Sequence, residues 1–395
     1  MATDKMKYDF DRVIKRKGTG SVKWDLADSI FGGSDLLPLW VADMDFQSPP
    51  EVIDVLVNRA RHGIYGYTAA SSTYFESFIA WFRKHHGWEI HSDWIHFSPG
   101  VVPALNLLLQ TFSHPGDKVI IQQPVYYPFM NAIRNNGRVI VNNPLVLGHG
   151  KYRMDLDDLE RKIITEQAKL LILCSPHNPV GRVWSKDELS LLGEICSKYN
   201  VIVISDEIHC DLTYPGIKHV PFASIADNYL MNSITCLSPS KTFNLAGLQT
   251  AGLIIANPEM QIKYKRTLEC FGLTWPNLFA CEALTAAYTH GGQWLDAVIE
   301  YLTDNLSFLK DFIKNNIPEI TLVEPEGTYL AWIDFRKLGL DRVSLKSLLR
   351  EKAGVAFDDG YIFGSPEGDG FERINIACPR ILLEKALRKI VAAIQ

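Results

Sequence analysis

Short, continuous apolar runs that alternate with amphipathic stretches constrain the fold of this chain more than any other feature. Between about residues 51 and 288, these runs are Lys118 to Ile121, Leu170 to Cys174, Val201 to Ser205, Ile234 to Leu237 and Leu253 to Ala256. Runs of Val, Ile and Leu without polar alternation suit strands that are covered on both faces, as in a mostly parallel sheet flanked by helices. The pattern therefore predicts an α/β core.

Length and a later change of pattern predict a second domain. A chain of 395 residues exceeds what one hydrophobic core usually supports. After Trp294 the pattern is a long helical stretch to about Asn315, then Thr321 to Val323, Tyr329 to Phe335, another helix, Arg373 to Ala377, and a final helix from Leu382. We expect an N-terminal segment (1–46) that packs with the small domain, a large domain (47–288) and a smaller α+β domain (289–395).

Composition excludes several classes of function. A net charge of -5 without a basic stripe argues against nucleic-acid and membrane-surface partners. The seven cysteines are scattered and form no C-x-x-C pair, and the histidines show no H-x-x-x-H spacing, so no metal site is expected. Met1 to Gly20 lacks the apolar core of a signal peptide, and no later run is long enough to span a membrane, which predicts a cytoplasmic protein.

Chemically capable residues follow the predicted strands. Asp206 comes directly after one strand, Asn178 lies in the Ser-Pro-His-Asn-Pro segment after another, Tyr126 follows a third, and Lys241 follows a fourth. Because open α/β sheets bind ligands outside the carboxyl ends of their strands, we expect these side chains to meet in one crevice.

Two sets of motifs carry a resemblance over almost the whole chain. The segments S-P-S-K-T-F-N-L-A-G-L (238–248), S-P-H-N-P-V-G-R (175–182), S-D-E-I-H (205–209) and R-I-N-I-A-C-P-R (373–380) resemble the fold-type I enzymes that use pyridoxal 5'-phosphate (PLP), the aspartate aminotransferase superfamily. W-V-A-D-M-D-F (40–46), G-Y-T (66–68), P-V-Y-Y-P-F (124–129) and E-G-T-Y-L-A-W (326–332) resemble its MalY/PatB group of cystathionine β-lyases. The resemblance implies the PLP-transferase fold, with a mostly parallel seven-stranded sheet in the large domain.

The resemblance assigns residues to the cofactor ring. Lys241 would hold PLP as a Schiff base and, once freed by substrate, take the Cα proton. Asp206 would face the pyridine nitrogen and keep it protonated. Asn178 would bind the phenolic oxygen, and Tyr126 would stack on the ring. His209 lies where many aminotransferases carry a tyrosine for the same oxygen, so a cofactor contact and a packed core histidine both stay open.

Each of these assignments has a structural alternative. Lys241 could be a solvated surface lysine, Asp206 a helix N-cap, Asn178 part of an Asn-Pro turn, and Tyr126 a core residue. The place of Lys241 directly after a buried strand, in a Ser-Pro-Ser turn, favours the functional interpretation.

The phosphate is expected at a helix N-terminus. The backbone N–H groups of Val101 and Val102 would point at an anion, and Ser238 and Ser240 would add hydroxyl donors. An ordinary glycine-opened helix is the alternative. Gln249 stands where many members of the superfamily carry an arginine. Tyr67 resembles the tyrosine lent by a neighbouring subunit, which implies a homodimer.

The substrate residues are also implied by the resemblance. Arg373 resembles the clamp for the α-carboxylate, because a guanidinium binds a carboxylate through two parallel hydrogen bonds. Ala42 would offer a backbone contact to the same group, and Tyr127 would face the substrate. A surface ion pair for Arg373 and core packing for Tyr127 are the alternatives.

The function implied is α,β-elimination from a sulfur amino acid such as cystathionine or cysteine, which yields a thiol, pyruvate and ammonia. An aminotransferase shares the early steps, and sequence does not separate the two. A PLP-binding regulatory protein is a third reading. A nicotinamide dehydrogenase is excluded because Gly18-Thr19-Gly20 lacks both the third glycine of the dinucleotide fingerprint and a preceding strand.

Overall fold

A computed structural model describes residues 8–395 of the protein. Its strands are β1 (Leu37–Pro38), β2 (Ile95–Ser98), β3 (Lys118–Ile121), β4 (Val139–Asn142), β5 (Val146–Gly148), β6 (Lys151–Arg153), β7 (Leu170–Cys174), β8 (Ile202–Asp206), β9 (Ser233–Leu237), β10 (Ala251–Ile254), β11 (Thr321–Val323), β12 (Leu330–Asp334), β13 (Val355–Ala356), β14 (Asp358–Asp359) and β15 (Phe371–Asn375).

The helices are α1 (Val22–Asp25), α2 (Ala27–Phe31), α3 (Pro50–His62), α4 (Ser72–His86), α5 (Val101–Phe112), α6 (Tyr127–Asn135), α7 (Leu156–Glu166), α8 (Lys186–Lys198), α9 (Asp227–Met231), α10 (Pro239–Thr242), α11 (Pro258–Cys270), α12 (Leu278–His290), α13 (Gly292–Asn316), α14 (Arg342–Lys346) and α15 (Arg380–Ile394). A π-helix (Ser347–Lys352) continues directly from α14.

A seven-stranded sheet forms the centre of the larger part of the molecule. Its strand order is β2-β10-β9-β8-β7-β3-β4. Neighbouring strands are parallel except at β10, which runs antiparallel to both β2 and β9. The sequence prediction of a mostly parallel, helix-flanked sheet is confirmed.

Alternate residues of the central strands enter two different cores. In β7, Leu170 and Ile172 join the cluster that contains helices α5, α6 and α11, whereas Leu171 and Leu173 join the one that contains α7 and α8. Successive side chains of a strand point to opposite faces, so every position of a strand that is covered on both faces is buried and favours an apolar residue. This is why the strands appear in the sequence as unbroken apolar runs.

Strand ends differ from the sequence prediction by one or two residues. The run predicted at 201–205 is observed at 202–206, because Asp206 pairs in register with Cys174 on one side and Cys236 on the other. The run predicted at 253–256 is observed at 251–254, because its first residues pair with Ser98 and Phe97 of β2. Apolar character alone does not show where ladder pairing starts.

A smaller antiparallel sheet, β11-β12-β15-β14, lies in the C-terminal part. The N-terminal segment contacts this part: β1 pairs in parallel with β13, and the backbone N–H of Asp45 donates to the carbonyl of Ala377 (2.9 Å). The domain boundaries at residues 46 and 288 stay predictions. Within residues 8–395 no helix has both the length and the apolar character to span a bilayer. The cytoplasmic location stays a prediction.

Candidate active site

Lys241 lies in the short helix α10, directly after the central strand β9. Ser238 is the N-cap of this helix, and its side chain accepts a hydrogen bond from the Ser240 backbone N–H. The Lys241 ammonium nitrogen donates to the carbonyl of Ala42 (Nζ to O, 2.6 Å). Burial, and then the charge of Arg373, lower the pKa of Lys241 to about 8. A lysine with such a pKa is neutral in a substantial fraction of molecules near physiological pH, as a nucleophilic amine must be.

Asp206 is the last residue of β8, at the carboxyl edge of the sheet. It is 4% exposed, and its Oδ1 accepts a hydrogen bond from the backbone N–H of Ile208 (3.2 Å). Burial raises the pKa of Asp206 to about 7, although the charge of Lys241 acts to lower it. No salt bridge to Asp206 is found among residues 8–395. A buried carboxylate with so little internal compensation is suited to an external cationic partner.

Arg373 and Asn178 are brought into direct contact. Arg373 Nη1 donates to Asn178 Oδ1 (2.9 Å), and Nη2 donates to the carbonyl of Trp40 (3.0 Å) and to Asp358 Oδ2. Both Arg373 and Asn178 are buried, so the arginine is not a surface residue with an exposed ion pair. Arg373 Nε is buried without a partner among the described residues.

His209 and Tyr126 lie in the same crevice. Burial, followed by the charges of Lys241 and Arg373, holds the pKa of His209 well below its usual range. Its Nδ1 is buried without a partner in the part of the chain that the structure describes. Burial raises the pKa of Tyr126, with smaller effects from the charges of Arg373 and Asp206, which places its phenol near both.

Tyr127 is half-buried and begins helix α6 beside Tyr126, with ring centroids 5.5 Å apart. Burial raises its pKa, and then the nearby charge of Asp358 raises it further. Both phenols therefore keep their protons at neutral pH.

The predicted phosphate residues occupy a helix start. Val101 and Val102 are the first residues of the 12-residue helix α5, after Gly100, whose φ of 130° is disfavoured for residues with a Cβ. Ser238 Oγ donates to the carbonyl of Thr250 (2.6 Å) and lies 2.8 Å from Ser240 Oγ. Gln249 is exposed.

Tyr67 is separate from this cluster in the single chain. Its side chain is 98% exposed, and no hydrogen bond joins it to the other candidate residues within residues 8–395.

Sequence reasoning missed several residues that complete the crevice. Tyr329 donates its hydroxyl to the Ala42 carbonyl (2.9 Å), which also receives Lys241. Asn375 Nδ2 donates to the carbonyls of Val41 (2.7 Å) and Asp43 (2.6 Å). The motifs E-G-T-Y-L-A-W and R-I-N contain Tyr329 and Asn375, so the signal was present. Asp358 had no comparable signal.

Comparison with known proteins decides the family. The model of class I and II aminotransferases matches residues 34–390 of this chain. The chain belongs to the class I and II aminotransferase family.

Two curated relatives and one solved structure show where in the aminotransferase family the chain lies. It is 43% identical to the cystathionine β-lyase PatB of Bacillus subtilis (strain 168), over 98% of this chain and 100% of that protein. It is 37% identical to Protein MalY of Escherichia coli (strain K12), over 98% and 99%. Cystalysin from Treponema denticola, a structure that contains PLP, superposes with a TM-score of 0.95 at 41% identity, over 98% and 99%. The resemblance to the MalY/PatB group is confirmed.

The crevice of this aminotransferase-family chain fits PLP. The amine of Lys241 suits an aldehyde, and the buried carboxylate of Asp206 suits a protonated ring nitrogen. The free N–H groups at the start of α5 and the Ser240 hydroxyl suit a phosphate. The unpartnered His209 Nδ1 provides a further polar atom inside the crevice. The individual contacts stay predictions.

Proposed function

We propose that this chain is a PLP-dependent carbon–sulfur β-lyase that converts cystathionine- and cysteine-type amino acids into a thiol, pyruvate and ammonia. Support comes from the relatives, since PatB is named a cystathionine β-lyase. The observation that carries the proposal is the half-buried Lys241, which donates to the Ala42 carbonyl (2.6 Å) and whose pKa is lowered to about 8, in one crevice with Asp206 and Arg373.

Lys241 would hold the cofactor and later move the substrate's Cα proton. When bound, PLP supplies an electron-accepting ring that stabilises negative charge at Cα. A base with a pKa near the working pH accepts and returns protons efficiently, and burial gives Lys241 such a pKa. Asp206 would keep the ring nitrogen protonated through its negative charge.

Arg373 and the tyrosines would position the substrate and complete the elimination. The guanidinium of Arg373 would bind the α-carboxylate, and Asn178 holds that guanidinium in place (2.9 Å). Tyr126 and Tyr127 are protonated phenols beside the arginine, since burial raises the pKa of each. Lys241 or one of these phenols would donate the proton that the departing sulfur needs.

A homodimer would complete the site. Tyr67 is 98% exposed, and the neighbouring Ile64 (67%) and Tyr65 (61%) are exposed as well. Apolar and aromatic side chains that lie exposed together are typical of an interface. We infer that a second copy covers them and that Tyr67 reaches the phosphate of the partner's cofactor.

The test is incubation of the purified protein with L-cystathionine and with L-cysteine, while pyruvate and free thiol or sulfide are followed. We expect pyruvate and sulfur product in equal amounts, and neither product from the Lys241→Ala variant. Absence of both products over a panel of β-thio amino acids would reject the lyase.

An aminotransferase is the second candidate, because the matching family model describes class I and II aminotransferases. An aminotransferase would return the substrate's Cα proton to the cofactor and would not expel the sulfur from Cβ. Formation of a new amino acid that requires an added 2-oxo acid, with no free thiol, would establish it.

A further inference from the structure

Arg373, the expected partner of the substrate's α-carboxylate, already binds a carboxylate of the chain itself, that of Asp358. Asp358 of β14 lies directly opposite Arg373 of β15 in the antiparallel ladder, so their side chains extend from the same face of the small sheet. Both side chains are buried, with 6% and 3% exposed, and Asp358 Oδ2 accepts a hydrogen bond from Arg373 Nη2. The nearby charge of Asp358 also contributes to the raised pKa of Tyr127. Asp358 therefore lies inside the region where substrate is expected.

The hydrogen-bond inventory of Arg373 shows a conflict. A guanidinium has five N–H groups, one on Nε and two on each terminal nitrogen. Both N–H groups of Nη2 are engaged, one by the Trp40 carbonyl (3.0 Å) and one by Asp358. Nη1 donates to Asn178, and Nε is buried without a partner among residues 8–395.

A two-bond grip on a carboxylate always needs Nη2 in this geometry. The end-on mode uses Nη1 and Nη2, and the side-on mode uses Nε and Nη2. Either mode must therefore replace an acceptor that the chain itself supplies. The Trp40 carbonyl is fixed backbone beside β1, whereas Asp358 is a side chain that can turn or take up a proton.

We propose that Asp358 competes with the substrate's α-carboxylate for Arg373 Nη2 and must release this nitrogen when substrate binds. Asp358 would thereby set how tightly this enzyme binds amino acids. The inference rests on the proposed function, in that Arg373 receives the α-carboxylate. Asp358 is a specificity-determining residue here: it neutralises the buried guanidinium in the free enzyme and opposes the approach of a second negative charge.

The neighbouring Asp359 provides a matched control. It follows Asp358 in the same strand, but it pairs with Glu372 and so faces the other side of the sheet. Its carboxylate is held by Arg350 (2.6 Å) and Lys346 (3.3 Å). Removal of one negative charge at 359 changes the overall charge as much as removal at 358, without freeing Arg373.

The experiment measures ligand binding to the PLP-loaded dimer from the change in cofactor absorbance. The probe is 2-aminoisobutyrate, which has no Cα proton and therefore cannot be turned over. Isopropylamine, the same molecule with hydrogen in place of the carboxylate, is the matched ligand. Because no carbon–sulfur bond is broken, a failure of the lyase proposal leaves this test intact.

We expect Asp358→Asn and Asp358→Ser to lower the Kd of 2-aminoisobutyrate by about tenfold, because the competing charge is gone. Asp359→Asn should change it by less than about twofold, and isopropylamine should respond weakly to all three variants. With a sulfur substrate, KM should fall while kcat stays nearly constant. A raised Kd in the Asp358 variants would overturn the proposal, since Asp358 would then support binding. Equal changes for both ligands would overturn it too.

Discussion

Two buried aspartates lie five residues apart, Asp206 as the last residue of β8 and Asp211 in the turn that follows, and their pKa values are shifted in opposite directions. Asp211 accepts hydrogen bonds from Trp81 Nε1 (3.0 Å) and Thr242 Oγ1 (2.7 Å), and it pairs with His86 Nε2 (2.7 Å). Although burial acts to raise it, these partners lower the pKa of Asp211. Asp206 accepts a backbone N–H bond, and burial raises its pKa to about 7.

The difference separates a structural carboxylate from a functional one. The chain satisfies Asp211 completely, so this residue ties helix α4 to the turn that carries Lys241. At Asp206 the chain leaves the cost of burial largely uncompensated, which is tolerated where a ligand supplies the missing partner. Lys241 belongs with Asp206, because its pKa is also displaced toward the neutral form.

Lys241→Ala tests this contrast with the largest expected effect. We expect pyruvate formation to fall by about 10⁴-fold or more, because both the attachment point and the proton carrier are removed. Stability should not suffer. The pKa of Lys241 is about 8 in the folded chain against 10.5 ordinarily, so the unfolded chain binds the extra proton between these values. Stability of the cofactor-free wild type should therefore rise with pH across that window.

Urea unfolding of the cofactor-free protein at pH 8 and pH 10 measures this rise in the free energy of unfolding. The pH-dependent gain should be smaller in Lys241→Ala. Turnover within tenfold of the wild type would remove Lys241 from the mechanism.

Asp206→Asn should have the next largest effect on activity. An amide cannot hold the ring nitrogen protonated, so we expect a loss of about 10²- to 10³-fold in kcat. The pKa of Asp206 is raised, so the folded chain binds a proton that the unfolded chain has released between about pH 4 and pH 7. Asp206 thus costs stability as the pH rises through that window. The cofactor-free variant should be at least as stable as the cofactor-free wild type at pH 8. A large loss of unfolding free energy at that pH would contradict the view that Asp206, unlike Asp211, does not stabilise the fold.

Asp211→Asn should give the reverse pattern. It replaces a carboxylate that compensates buried donors, so we expect a loss of about 3 kcal/mol in the free energy of unfolding at pH 7. Activity should change by less than about tenfold. Because the pKa of Asp211 is lowered, its contribution is present above the ordinary value of 3.8 and is lost as the pH falls through the folded value. The difference between variant and wild type should therefore shrink only at a pH well below 3.8, as urea unfolding at pH 7 and in such acid would show.

The sequence predicts the functional residues of this contrast better than the structural ones. Asp206, Asn178 and Lys241 each follow an apolar strand, and strand ends are visible in a pattern of unbroken hydrophobic residues. The partners of Asp211 are not visible in this way, because Trp81 lies 130 residues away and only tertiary packing brings the two together.

Asp358 and Tyr67 illustrate two further limits. In the sequence, Asp358 lies in a Phe-Asp-Asp-Gly stretch that is typical of a solvated turn. Only the register of β14 against β15 sets it opposite Arg373. Tyr67 follows from family resemblance alone, since a contact with another copy leaves no pattern within one chain.

The same contrast recurs with a smaller effect at the two serines of the Lys241 turn. The Ser238 hydroxyl makes its hydrogen bonds within the chain: it donates to the Thr250 carbonyl (2.6 Å) and, as a helix cap, accepts a hydrogen bond from the Ser240 backbone N–H (3.1 Å). Ser238→Ala should therefore cost about 1 kcal/mol of unfolding free energy. Ser240 contacts Ser238 through its hydroxyl, and its single O–H would turn from Ser238 to donate to the phosphate. Ser240→Ala should weaken PLP binding by about three- to tenfold at nearly unchanged stability, since one hydrogen bond contributes about 1 kcal/mol. Equilibrium dialysis of PLP, set beside urea unfolding of both variants, distinguishes the two roles. If Ser238→Ala weakened PLP binding more than Ser240→Ala without loss of stability, hydrogen bonds made within the chain would no longer distinguish the structural hydroxyl from the functional one in this turn.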